Sequence, residues 1–199
     1  KKPVKIKLKP LGTMSQNQVK SVRSCLENLV SMVLMGYNSK VSMYEQQFLT
    51  FVTLTIPSQQ RHSDKILRQL QTRFIENLQK SYQVVHYIWK AETQQNGNIH
   101  FHLLIDRAII HDELRILWNR QLSKYDYIKE YSKKRKREGF VYKPYYKKKG
   151  VLVPSKLSKN EQFKSYQKEL KENFQNPNTT DIHSLKSIGN TVSYLMKYM

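Results

Sequence analysis

The sequence predicts an α+β fold in which a central, mostly antiparallel sheet is flanked by helices. Strand-like and helix-like segments alternate along the 199 residues, and a short hairpin joins two of the strands. The length suits a single domain, 1–199, that carries an insertion. The chain also has 13 Tyr, 7 Phe and 2 Trp, an aromatic content that argues against a disordered protein.

The first elements alternate as this fold requires. Aliphatic residues alternate with lysines over 4–9, which predicts a strand with a basic outer face or an arm along a phosphate backbone. Apolar residues at helical spacing predict a helix over 16–36, with Ser15 as its N-cap and Gly36 as its stop. The β-branched and aromatic segment 48–56 predicts a buried strand.

The middle of the chain predicts the hairpin. A helix that begins at Ser63 or Asp64 precedes two strands, 84–92 and 98–105, which a Gln-Gln-Asn-Gly turn signal separates. The remaining predicted elements are a helix from Asp112, a short helix near 163–174, a strand at 181–185 and a helix from about Asn190.

The charge of the chain indicates a polyanionic partner. With 35 Lys plus Arg against 15 Asp plus Glu, the formal net charge is +20, which suits binding to nucleic acid or to an anionic membrane surface. No apolar stretch approaches the roughly 18–20 residues that span a bilayer. The single Cys25 excludes an internal disulfide and a multi-cysteine zinc site.

Two histidines on one predicted strand form the sharpest candidate site. Because side chains two apart on a strand point the same way, His100 and His102 share a face. Two imidazoles can share a divalent ion but need a further ligand, preferably oxygen if the metal is Mg or Mn. A three-residue loop over 95–97 pairs Glu92 with His100 and supplies that ligand, whereas a two-residue turn places Glu92 on the opposite face. The alternative is a polar strand edge that binds no metal.

Three residues near Met199 form a second candidate group. Tyr194 and Tyr198 lie four apart on one face of the predicted helix, and Lys197 is next to both. A tyrosine hydroxyl, with an ordinary pKa of about 10, is a poor nucleophile until a cation favours the phenolate. Lys197 and a bound metal are both candidates for that cation. The structural alternative is an amphipathic helix whose tyrosines only pack.

Taken in order, these segments resemble the HUH endonucleases, and within them the rolling-circle replication initiators (Rep proteins) of plasmids and single-stranded DNA phages. The hydrophobic, threonine-containing segment 51–55 is similar to the first motif of that superfamily. His100-Phe101-His102, with Glu92 upstream, is similar to the second motif, and Tyr194-x-x-Lys197-Tyr198 to the third. The resemblance covers roughly 48–199 without the stretch 124–177.

The resemblance implies an antiparallel sheet of RRM-like topology and a reaction on single-stranded DNA. Glu92, His100 and His102 would hold Mg or Mn, which polarises the scissile phosphate. Tyr194 would attack in line to give a 5′-phosphotyrosine link and a 3′-OH that primes replication, with Lys197 orienting the phosphate or supporting the phenolate. Whether Tyr198 is a second nucleophile stays open.

The stretch 124–177 is predicted to be a basic, Lys/Tyr-rich insertion. Interleaved cations and rings suit single-stranded DNA, because bases stack on aromatic rings while cations meet phosphates. The alternative is a solvated basic loop. The predicted DNA contacts are Lys133, Lys134, Arg135, Lys136, Arg137, Tyr142, Tyr145, Lys147, Lys148 and Lys149.

The partners expected from the resemblance are single-stranded DNA or origin hairpin DNA, and no membrane. A helicase or another replication protein, and a further domain beyond Met199, are compatible with it. The expected location is the cytoplasm of a bacterium or of a host cell, and the oligomeric state stays open. Two other functions also stay open: a single-tyrosine HUH transposase with the same chemistry, and a non-catalytic RRM-like nucleic-acid-binding module.

Overall fold

The computed structural model describes residues 15–37, 49–94, 96–148 and 151–184. Its elements in chain order are α1 Gln16–Tyr37, β1 Thr50–Leu54, α2 Asp64–Tyr82, β2 Tyr87–Thr93, β3 Ile99–Ile105, α3 His111–Ser123, α4 Tyr127–Glu138, β4 Tyr145–Lys148, β5 Val151–Pro154, α5 Lys159–Lys171 and β6 Thr180–Ser184. The predicted strand over 4–9 and the predicted helix from Asn190 lie outside these residues. No helix within the described ranges has the length and apolar character needed to cross a membrane.

Four strands form an antiparallel sheet in the order β2-β3-β1-β6. The elements that build it follow one another as β1-α2-β2-β3-α3-β6, which is the β-α-β-β-α-β arrangement of RRM-like domains. The predicted α+β fold, with an antiparallel sheet flanked by helices, is therefore confirmed.

One face of this sheet, which we call the closed face, packs on α2 and α3. Phe101 from β3, Phe74 from α2 and Trp118 from α3 are completely buried there. The Trp118 ring meets the Phe74 and Phe101 rings edge to face, with centroids 5.7 and 6.3 Å away. Its indole N–H donates a hydrogen bond of 2.7 Å to the Thr55 carbonyl, so the one polar atom of this large side chain is satisfied.

The opposite face, which we call the polar face, meets α1 at one end. Leu26 and Val30 of α1 pack with Phe51 and Leu104 of the sheet. Ser15 caps this helix as predicted, because its hydroxyl accepts from the Gln18 N–H at 3.2 Å while the Gln18 side chain accepts from the Ser15 N–H at 2.7 Å. The helix continues through Gly36 to Tyr37, one residue past its predicted stop.

The stretch between α3 and β6 is folded. It forms α4, a β4–β5 hairpin and α5, of which the sequence predicted only the last helix. Tyr127 at the start of α4 is completely buried in the core of the closed face. Farther along α4, the Arg135 guanidinium lies over the rings of Tyr166 and Phe174 and pairs with Glu169 at 3.6 Å. These contacts hold α4 against α5.

Candidate metal centre and nucleic-acid interface

The register of the β2–β3 hairpin decides which face Glu92 occupies. Glu92 lies directly opposite His100, and the Gln94 N–H donates to the Asn98 carbonyl at 2.8 Å. Three residues separate Gln94 from Asn98, and the last of them, Gly97, has a φ of +82°. The predicted three-residue loop and the predicted pairing of Glu92 with His100 are both confirmed.

The loop between β1 and α2 supports this hairpin turn. The Asn98 side chain donates to the Ser58 carbonyl at 2.9 Å and accepts from the Gln60 N–H at 2.8 Å. The Gln60 side chain in turn accepts from the Ile99 N–H at 2.8 Å. Because these bonds join the turn to a separate part of the chain, the strand that carries both histidines begins at a defined position.

His102 has a partner on each ring nitrogen. Its Nε2 lies 3.1 Å from Oε2 of Glu92, and its Nδ1 lies 3.2 Å from the hydroxyl oxygen of Thr53 on β1. The Phe51 ring stacks on the imidazole at 5.6 Å with an angle of 17° between planes. The histidine side chain is 9% exposed and that of Glu92 is 40% exposed, so this pair lies at the border between protein and solvent.

His100 lies beside this pair, with its ring centroid 6.1 Å from that of His102. Burial lowers the pKa of His100, the neighbouring His102 lowers it further, and Glu92 opposes the change. Burial likewise lowers the pKa of Lys90, again against the influence of Glu92. A lowered pKa favours the neutral imidazole, which is the form that binds metal ions.

A row of polar residues crosses the sheet through His102. Lys90 lies opposite His102 on β2, Thr53 lies opposite it on β1, and Asp181 on β6 lies opposite Thr53. The alternation of β2 already placed Lys90 on the face of Glu92, but the sequence analysis assigned it no role. Asp181 could not be found in this way, because no local pattern shows that β6 pairs with β1.

The donors of the predicted metal site match the chemistry of a divalent ion in part. Within the described ranges, no group of three or more His, Cys, Asp or Glu side chains is placed to hold a metal. Two ligands about 2.1 Å from an octahedral ion and at right angles to each other lie about 3 Å apart. The 3.1 Å between Glu92 Oε2 and His102 Nε2 fits such a pair. The assignment of all three ligands stays a prediction.

Thr53 is suited to orient His102. A metal-binding histidine commonly uses its second nitrogen to donate to a neighbouring oxygen, which selects the tautomer and the ring orientation. With the proton on Nδ1 shared with the Thr53 hydroxyl, the Nε2 lone pair is directed toward Glu92. This gives a physical role to a threonine that the sequence placed only within a motif.

The predicted nucleophile group, Tyr194, Lys197 and Tyr198, lies outside the described residues. The last described residue is Ser184 on β6, ten positions before Tyr194. The roles of these three residues therefore stay predictions.

The predicted DNA contacts on α4 divide into exposed cations and one buried anchor. Lys133, Lys134, Lys136 and Arg137 are exposed, whereas Arg135 turns toward α5. Lys133 lies 3.4 Å from Glu130 and Lys134 lies 3.8 Å from Glu138. Exposed pairs of this kind contribute little stability, so these lysines can exchange a carboxylate for a phosphate at small cost.

The other predicted contacts lie on or near the β4–β5 hairpin. Tyr142 and Tyr145 are 40% and 57% exposed. Lys147 and Lys148 belong to β4, and Lys149 lies outside the described residues. The exposed rings and the lysine-rich strand are therefore parts of one element.

A protein-family model described as replication-associated protein, of the ORF2/gene 2 protein type, matches residues 49–199. The chain belongs to this family. The match includes the whole sheet, the hairpin of Glu92 and His100, and the basic segment. The chain has no significant match among curated proteins or among solved structures. Membership supports a role in replication initiation of the Rep type and implies DNA as a partner.

Proposed function

We propose that this replication-associated protein is a metal-dependent, site-specific endonuclease of the HUH type, which nicks and rejoins single-stranded DNA to initiate rolling-circle replication. The observation that carries the proposal is the placement of Glu92, His100 and His102 on one face of an RRM-like sheet. This face occurs in a chain of a replication-associated family with a net charge of +20.

The polar face supplies the residues that would bind and orient the reacting phosphate. Glu92, His100 and His102 are the ligands for Mg or Mn, which when bound polarises a phosphate oxygen as a Lewis acid. Thr53 holds the His102 ring in orientation through Nδ1. Lys90, opposite His102, is a cation placed to attract the phosphate to this part of the sheet.

Tyr194 is the proposed nucleophile. Its phenolic oxygen forms a bond to phosphorus after losing its proton, and the bond from phosphorus to the 3′ oxygen breaks. The departing oxygen takes up a proton and becomes the 3′-OH that primes synthesis, while the 5′ side stays linked to the tyrosine. A later attack by a 3′-OH reverses these steps and rejoins the strand, because the covalent link retains the phosphodiester. Lys197 supports the phenolate of Tyr194.

The test is a covalent adduct assay. Labelled single-stranded oligonucleotides tiled across the replication origin are incubated with the protein and Mn, and denaturing gels separate protein-linked DNA. We expect an adduct that is lost in Tyr194→Phe and in EDTA but retained in Tyr87→Phe, which changes an exposed tyrosine of β2. Tyr198→Phe shows whether the second tyrosine contributes.

The other outcomes separate the alternatives. An adduct that persists in EDTA or in Tyr194→Phe contradicts the proposed mechanism. Tight binding without an adduct on any oligonucleotide favours a non-catalytic nucleic-acid-binding module. Strand-transfer products at transposon ends, rather than at an origin, favour a transposase.

A further inference from the structure

The β4–β5 hairpin presents apolar side chains on both of its faces. Tyr145 and Leu152 share one face, and Tyr146 and Val151 share the other, because neighbouring residues of a strand point to opposite sides. These four side chains are 57%, 63%, 42% and 65% exposed, respectively. Apolar groups exposed together mark an interaction site more often than a structural surface.

The base of this hairpin is held firmly, although its faces are exposed. The Gln162 side chain on α5 accepts from the Lys143 N–H at 3.0 Å and donates to the Ser155 hydroxyl at 3.1 Å, so it bridges the two ends of the hairpin. The Ser155 N–H also donates to the Pro144 carbonyl at 2.7 Å. A two-stranded hairpin is marginal by itself in water, and these bonds supply support that its own strands lack.

The charge of the hairpin selects the kind of partner. The segment 139–158 contains five lysines and no aspartate or glutamate. Such a segment attracts a polyanion, and membership in a replication-associated family favours DNA over an anionic membrane. The exposed rings require more than phosphates, since tyrosines bind nucleic acid chiefly by stacking on bases that have left the duplex.

We propose that the β4–β5 hairpin inserts between the two DNA strands at the point where a duplex opens. One strand would meet the face of Tyr145 and Leu152, and the other would meet the face of Tyr146 and Val151. Opening a base step costs a few kcal/mol, and stacking on an aromatic ring recovers about 1–3 kcal/mol per base. This inference rests on the proposed function for its purpose, because it supplies the single strand that is to be nicked.

The test measures strand opening without cleavage. A forked DNA carries a fluorophore and a quencher on the two strands of its junction base pair, and EDTA prevents nicking. We expect the wild-type chain to raise the fluorescence of the fork. Tyr145→Ala/Tyr146→Ala and Val151→Ser/Leu152→Ser should abolish this rise and weaken fork binding by about tenfold or more. Binding to fully single-stranded DNA should change by less than about threefold, because strand separation is no longer required.

Val85→Ser/Ile116→Ser is the matched control. It changes two apolar residues that are 60% and 47% exposed but lie outside the hairpin, and it should behave as wild type. Equal unfolding midpoints for all variants show that the hairpin changes act on binding. An equal loss on fork and single strand, or no loss on either, overturns the proposal. Loss of binding to vesicles containing phosphatidylserine, with fork binding intact, also overturns it in favour of a membrane contact.

The adduct assay distinguishes failure of this inference from failure of the proposed function. Fork opening by wild type without any covalent adduct supports the hairpin inference and contradicts the proposed nicking. An adduct on single-stranded DNA together with a fork that stays closed supports nicking and overturns the hairpin inference.

Discussion

The two faces of the four-stranded sheet differ in what completes them. On the closed face, α2 and α3 bury aromatic and aliphatic side chains completely. On the polar face, α1 packs around Phe51 and Leu104, and the next row across the sheet contains Lys90, His102 and Asp181. Adjacent residues of β3, Phe101 and His102, therefore serve different ends. Burial on one face stabilises the fold, which leaves the other face free to carry titratable groups.

The largest expected effect lies on the closed face. Phe101→Ala should lower the free energy of unfolding by about 3–5 kcal/mol, because it leaves a cavity beside Trp118 in a fully packed region. Urea titration measures the change. A loss below about 1 kcal/mol would show that this face contributes less to folding than its burial indicates.

The next effect is metal-dependent and belongs to the polar face. An ion that binds only the folded chain stabilises it by about 2.7 kcal/mol at a hundred times its dissociation constant. We expect Mn to raise the unfolding temperature of the wild type and not that of His102→Ala. His111→Ala, which changes a histidine at the start of α3, is the control. If both variants respond to Mn alike, the polar face does not hold the ion.

A smaller effect joins the two faces. The Tyr127 ring is buried in the core of the closed face, while its hydroxyl oxygen accepts from the Arg61 and His62 N–H groups, both at 3.2 Å. Tyr127→Phe leaves these donors without that partner and should cost about 1–3 kcal/mol. Thermal unfolding beside the exposed Tyr145→Phe, expected to be neutral, measures it. Equal stability of the two variants would contradict a role for this hydroxyl.

The smallest effect on stability tests the orientation of His102. Thr53→Val should cost about 1 kcal/mol of stability and weaken Mn binding by about 10- to 100-fold, because Nδ1 loses its partner oxygen. Thr55→Val is the matched control, since that hydroxyl donates to the Thr179 carbonyl and not to a histidine. Calorimetric titration with Mn compares the two. Equal Mn affinities would leave Thr53 with a packing role only.

Prediction from the sequence was most successful where the pattern is local. The helices α1, α2 and α3 and the strands of the central sheet follow from apolar spacing and caps. It failed for α4, because only Tyr127, Ile128 and Ser132 of that helix are buried and a run of cations hides its periodicity. The β4–β5 hairpin was missed for a related reason. Its apolar residues face both sides, so no alternation between a core face and a solvent face marks its strands.

The sequence by itself determined which side chains share a strand face and how the hairpin turns, because both depend on residues a few positions apart. This placed Glu92 with His100 and His102 before any tertiary contact was known. Only the tertiary structure decided that β1 and β6 follow β3 across the sheet, which brings Thr53 to His102 and Asp181 into the same row. That order depends on how the whole closed face is buried, and no short segment contains this information.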